Sequence, residues 1–245
     1  MKKMNWLILA ALTLAAMGLR VGQNRTGFDE AGLAVSGNLP ALLLPVVLLA
    51  AALALILFAR ALPAGRSAGL RESFPFRNQA AVLCAVAGVF LLFAGAALSA
   101  LGGGTLLTLL LAVFCAAGAA CTLYTVFGLY RGGEVQGMAL LAPVCALAVR
   151  LVFLYRTDAA DPVLARIYIE ILAVAALTLS ALERAAFAFR SGSPRVYLPV
   201  SGMAVLLAFT AAVEQRSLAG LALFAGGALV ELGFLAAAER GTAAP

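Results

Sequence analysis

Apolar residues run along this chain in long, nearly unbroken stretches, and short segments between them hold most of the charge. Eight stretches read as helices: Met4–Leu19, Pro40–Ala59, Ala80–Leu101, Leu106–Tyr130, Met138–Tyr155, Pro162–Phe189, Tyr197–Val213 and Leu218–Ala238. None shows the period-two alternation of a strand, and all are rich in Ala and Leu. A helix also satisfies its own backbone in hydrocarbon, where an open strand does not. Two starts carry capping signals. Asn38 precedes Pro40 in a first turn, and Asp161 precedes Pro162 at a first helical position.

Composition sharpens this into a class. Of 245 residues, 64% are apolar and 11% charged, against about 45–50% and 25% in a soluble domain. At roughly 20 apolar residues per crossing, the total of about 157 corresponds to seven or eight spans. The expectation is an all-α polytopic transmembrane bundle of about eight spans. It forms one integral membrane domain over residues 1–245, without a soluble domain. The first run, with Lys2, Lys3 and the small residues Ala15-Ala16-Met17-Gly18, also fits a secretory signal peptide. An uncleaved helix is the preferred reading, with Arg20 snorkelling to the interface.

Charge orients the bundle. With the N-terminus in the cytoplasm, the inner segments hold eleven basic residues: Lys2, Lys3, Arg60, Arg66, Arg71, Arg77, Arg131, Arg184, Arg190, Arg195 and Arg240. The outer segments hold five: Arg20, Arg25, Arg156, Arg166 and Arg216. Positive-inside bias therefore predicts both termini in the cytoplasm. The net charge of +6 reads as affinity for anionic lipid headgroups rather than for nucleic acid. Arg60, Arg66, Arg71 and Arg77, around Phe74-Pro75-Phe76, are the expected headgroup contacts. Their segment reads as lipid-facing and interfacial in preference to a partner-docking site. In the outer segment, Asn24-Arg25-Thr26 matches a glycosylation tripeptide, a pattern common by chance.

Missing residues remove much familiar chemistry. The chain has no histidine, which excludes His-based metal sites, relays and triads. Its only lysines are Lys2 and Lys3, so no span offers a Schiff-base amine. Cys84, Cys115, Cys121 and Cys145 lie in apolar runs without metal-ligand spacing. No phosphate-cradling glycine motif occurs. No cofactor, no metal and no catalytic residue is expected. The expected surroundings are the lipid bilayer, with a membrane protein as a further candidate partner.

Ionisable residues within spans are costly and mark candidate sites. The short link from Arg156 to Asp161 makes the fifth and sixth helices antiparallel neighbours, with Arg150 and Glu170 at similar depth. They form a candidate intramembrane ion pair, with Arg166 one turn from Glu170. Such a pair reads either as a helix staple or as an anion or proton site. Glu231 lies near the bilayer midplane with no basic residue expected at its depth. It reads as a protonated, hydrogen-bonded carboxyl, either packing or serving as a proton or cation site. Depth makes Tyr124, Thr125, Thr178, Ser180 and Thr210 its candidate neighbours. Ala225, Gly226 and Gly227 would let another helix approach closely.

The stretch from Arg150 to Arg195, with Tyr155-Arg156, Asp161-Pro162, Tyr168, Glu170 and Phe187-Ala188-Phe189, resembles a pattern in uncharacterised multi-span membrane proteins of anaerobic Gram-positive bacteria. The resemblance implies a bacterial cytoplasmic membrane and no activity. Three functional classes stay open. The span count and buried charges fit a small-solute permease or the membrane component of a transporter. The scarcity of polar residues in the first four helices fits a non-catalytic assembly, sensor or partner subunit. An intramembrane enzyme would have only carboxylates and Arg to work with.

Overall fold

The computed structural model describes residues 6–28, 35, 37–61, 69–102, 105–158 and 164–241. Among them the chain forms nine helices: α1 Trp6–Thr26, α2 Leu39–Arg60, α3 Leu70–Ser73, α4 Gln79–Leu101, α5 Leu106–Tyr130, α6 Gly137–Asp158, α7 Leu164–Ala188, α8 Pro194–Ala212 and α9 Leu218–Gly241. All but the short α3 are long and apolar enough to cross a membrane. The protein is an all-α, multi-pass bundle.

Local chemistry explains several boundaries. Asn38 caps α2 through its Oδ1, which accepts from the Ala41 amide at 3.1 Å, with Pro40 in the first turn. Asn78 caps α4 likewise, accepting from the Ala80 amide at 3.2 Å. The Asp161-Pro162 signal lies outside the described residues. Helix α1 runs past the expected end at Leu19 to Thr26, because Arg20 and Gln23 find polar partners inside the fold.

Helices α4 to α9 pack successively, and α9 returns against α4 to close a six-membered ring. The closing contact is the most extensive among the described helices, and glycines make it. A Cβ on Gly88 would sit 2.6 Å from the Gly226 carbonyl oxygen, and one on Gly226 would sit 2.8 Å from that of Gly88. Gly233 meets the Ala81 carbonyl with equal closeness, at 2.7 Å. Backbones approach this nearly only where no side chain intervenes.

Helices α1 and α2 pack on each other and on α8. Within the spans, 67% of α8 and α9 is buried but only 22% of α2 and α5. Thus α8 and α9 form the spine, and the leucine-covered flanks of α2 and α5 face outward as hydrocarbon requires. Eight crossings put the starts of α1 and α4 and the end of α9 on one side, called here the terminal face.

On that face, α3 and Phe74-Pro75-Phe76 fold into the bundle instead of lying on its surface. Phe74 is wholly buried and touches the rings of Phe187, Tyr197 and Phe234 edge-on, at centroid separations of 5.2, 5.0 and 5.7 Å. Phe76 meets Phe234 at 5.0 Å. The lipid-facing expectation for these aromatics is therefore corrected: edge-to-face packing in the bundle end offers them more contact than an interface would. Arg60, Arg71 and Arg77 remain exposed, while Arg66 lies outside the described residues.

Candidate functional site

Three helices carry polar side chains at helical spacing toward one buried point. Helix α7 supplies Ser180 and Arg184, α8 supplies Tyr197 and Ser201, and α9 supplies Glu231 and Phe234. Residues three or four apart share a helix face, so each helix aims both of its members inward. Glu231 is 2% exposed and Arg184 3%.

At this point Arg184 Nη1 lies 3.0 Å from Glu231 Oε1. The other carboxylate oxygen accepts from Ser180 Oγ at 2.6 Å and from Ser201 Oγ at 3.2 Å. Ser201 also reaches the Tyr197 hydroxyl at 3.4 Å. The guanidinium stacks over the Phe234 ring, 4.1 Å from its centroid. Although Nη1 is close to the carboxylate, the alignment is not that of a hydrogen bond, and this buried nitrogen has no hydrogen-bond partner among the described residues. The contact is thus an ion pair that leaves a donor unused.

This arrangement corrects the reading of Glu231 as a carboxyl without a base at its depth. Near the end of its span, Arg184 reads from the sequence as one of the inner, interfacial basic residues. It turns inward instead, since Glu231 and Phe234 compensate its charge there. Of the expected neighbours only Ser180 touches the carboxylate. Thr125, Thr178 and Thr210 return their hydroxyls to their own helices, at Cys121, Val174 and Leu206, and Tyr124 faces outward.

A cavity of about 70 Å³ extends from this pair through the ring. Its walls are largely apolar, from α4, α5, α6, α7 and α9, with Leu147, Val174, Leu177 and Phe224 among them. Arg184 and Glu231 stand at one end, and Arg150 at the other. Val174 and Arg184 on α7 bracket about 15 Å of helix rise along this wall. The aromatic cluster of Phe74, Phe187, Tyr197 and Phe234 packs beside the charged end.

Arg150 and Glu170 do meet, at 3.5 Å, with side chains 13% and 20% exposed. Arg150 also stacks on Phe224 at 4.9 Å. The side chain of Arg166 lies outside the described residues. Among the described residues no group of three His, Cys, Asp or Glu comes together as a metal site.

A third charged cluster, absent from the sequence reading, gathers around Arg20. Arg20 is fully buried and not snorkelling: Nε donates to Glu214 Oε2 at 2.9 Å, Nη2 to Glu214 Oε1, and Nη1 to Gln23 Oε1 at 2.7 Å. It also lies over the Tyr168 ring at 5.2 Å. Glu214 sits beyond the end of α8, away from the terminal face. Burial pushes its carboxyl up, against the downward pull of Arg20, and the charge of Glu170 adds to the rise. The sequence carries a signal for this cluster: Leu9, Thr13, Ala16, Arg20 and Gln23 repeat at three- and four-residue spacing along α1, and all are buried.

No family model matches this chain, and no curated protein or solved structure shows significant similarity to it.

Proposed function

We propose that this chain is a small-solute permease, or the membrane component of a transporter, in a bacterial cytoplasmic membrane. The observation that carries the proposal is the cavity inside the α4–α9 ring, walled by apolar side chains and ended by Arg150 on one side and the Arg184–Glu231 pair on the other. Buried charge around a cavity is costly, and in membrane proteins it marks substrate and ion pathways and proton relays, among other roles. The Phe74 cluster would serve as the closure on the terminal face. The distribution of basic residues supports cytoplasmic termini, and the resemblance of the Arg150–Arg195 stretch supports a bacterial membrane. Exposed Arg60, Arg71 and Arg77 would then lie against anionic headgroups of the inner leaflet.

The test is flux through purified protein in phospholipid vesicles. Swelling in iso-osmotic solutions of small organic anions and polyols, followed by light scattering, should exceed that of protein-free vesicles for at least one solute. Phe74→Ala should raise the rate. Swelling no faster than in protein-free vesicles, with the helical circular dichroism retained, would reject the permease. The small cavity volume favours one second reading, a non-catalytic partner or sensor subunit, and that same negative result would support it.

A further inference from the structure

We propose that the cavity binds a short-chain monocarboxylate, its carboxylate on Arg184, and that each anion bound brings one proton onto Glu231. This deepens the transport reading and rests on the cavity being a substrate site.

Space and lining define the ligand. At about 10–15 Å³ per water-sized group, 70 Å³ accommodates roughly five such groups, the size of a two- or three-carbon acid. Leu177, Gly227 and Val230, within two turns of the pair along α7 and α9, suit a short hydrocarbon tail. At the charged end, Arg184 has a buried nitrogen without a hydrogen bond among the described residues, and a guanidinium fork matches a carboxylate in shape and charge.

Charge compensation supplies the coupling. In a buried, low-dielectric site one guanidinium balances one anion, and a second carboxylate beside an ionised Glu231 would be strongly repelled. An incoming anion therefore takes the place of the Glu231 carboxylate, which leaves the pair by accepting a proton. The neutral acid keeps its hydrogen bonds. Ser180 continues to donate, the new O–H donates to Ser201 Oγ, and Ser201 turns its own hydrogen to the Tyr197 oxygen at 3.4 Å.

The groups facing Glu231 permit this exchange. Helix α7 presents Arg184 and Ser180, and α8 presents Tyr197 and Ser201. Helix α4 meets α9 here through Gly88, against the Val230 backbone, with the Cys84 thiol one turn earlier on α4. From α5, Thr122 and Cys115 line the cavity, and Arg150 of α6 stands at its far end with Glu170 already beside it.

Calorimetric titration of the detergent-purified full chain with sodium propionate, in two buffers of different ionisation enthalpy, counts the protons. The expected result is about one proton taken up per propionate, with affinity falling about tenfold per pH unit where Glu231 is ionised. Glu231→Gln should bind with no proton uptake and a flat pH profile. The double variant Arg184→Gln/Glu231→Gln, which strands neither charge, should keep its melting transition and lose binding. Propionate binding to the wild type without proton uptake would overturn the proposal. So would no binding by the folded wild type, or undiminished binding by the double variant. Proton-linked binding without vesicle flux would instead reject the transport reading and leave this site standing.

Discussion

Arg184 of α7 and Glu231 of α9 meet with Nη1 3.0 Å from Oε1, although α8 packs against both of their helices. The pair bridges two helices that otherwise touch little. Ion pairing at this depth holds only while both charges are present, so removing one partner leaves the other buried and uncompensated. Arg184→Leu and Glu231→Leu should each cost about 3–5 kcal/mol. The double substitution should recover much of that loss, as read from thermal unfolding in detergent. Additive losses would mean that the two charges are independent.

Arg150 and Glu170 present a milder case of the same interaction. Their separation is 3.5 Å and both side chains keep some exposure. Their coupling should fall near 1 kcal/mol, between surface and buried pairs. A double-mutant cycle on Arg150→Ala and Glu170→Ala measures it, and a coupling as large as that of Arg184 and Glu231 would contradict this ranking.

Ring closure should depend on Gly88. Its absent Cβ would lie 2.6 Å from the Gly226 carbonyl, so even Gly88→Ala forces α4 and α9 apart. The expected cost is about 1–3 kcal/mol, larger still for Gly88→Leu. Gly18 on α1 is the control: a Cβ there meets nothing within 4 Å. Gly18→Ala should be neutral or stabilising, by up to about 1 kcal/mol of helix propensity. Equal melting shifts for the two alanines would refute the close-packing account.

Helix α1 should detach when Arg20 loses its partner. Arg20 is wholly buried and bound through two nitrogens to Glu214. Glu214→Ala should therefore destabilise by about 3–5 kcal/mol. Proteolysis near the end of α1 should rise with it, a change that loss of an exposed carboxylate would not produce. At the opposite end Trp6 Nε1 donates to Glu239 at 2.7 Å, so Trp6→Phe should loosen the terminal end of α1 more mildly.

Orientation is tested by labelling. In a background with the four cysteines replaced, Thr105→Cys should react with an impermeant maleimide added to intact cells. Glu134→Cys should react only after permeabilisation. Both positions are exposed and lie at opposite ends of α5. The reverse pattern would overturn cytoplasmic termini.

Some of this architecture is a local property of the chain. A window of about 20 apolar residues crosses hydrocarbon whatever surrounds it, so the eight crossings can be read without a fold. The Asn38 cap is equally local. So is the Arg150–Glu170 contact, because a short link forces α6 and α7 to be antiparallel neighbours and depth alone then matches the two residues.

Lateral arrangement is different. A span that is apolar on every side carries little record of which neighbour each face will meet, because lipid and helix are alike as apolar surroundings. Depth therefore suggested five neighbours for Glu231 and missed Arg184, which near a helix end can point to either water or protein. Only the approach of α7, α8 and α9 turns it inward. The same holds for Arg20, whose partner Glu214 belongs to a distant link, and for Phe74 and Phe76, whose basic segment by itself reads as lipid-facing. Hydropathy determined how many times the chain crosses. Contacts between faces, set by glycine approach, aromatic packing and the cost of an uncompensated charge, decided where its charges meet.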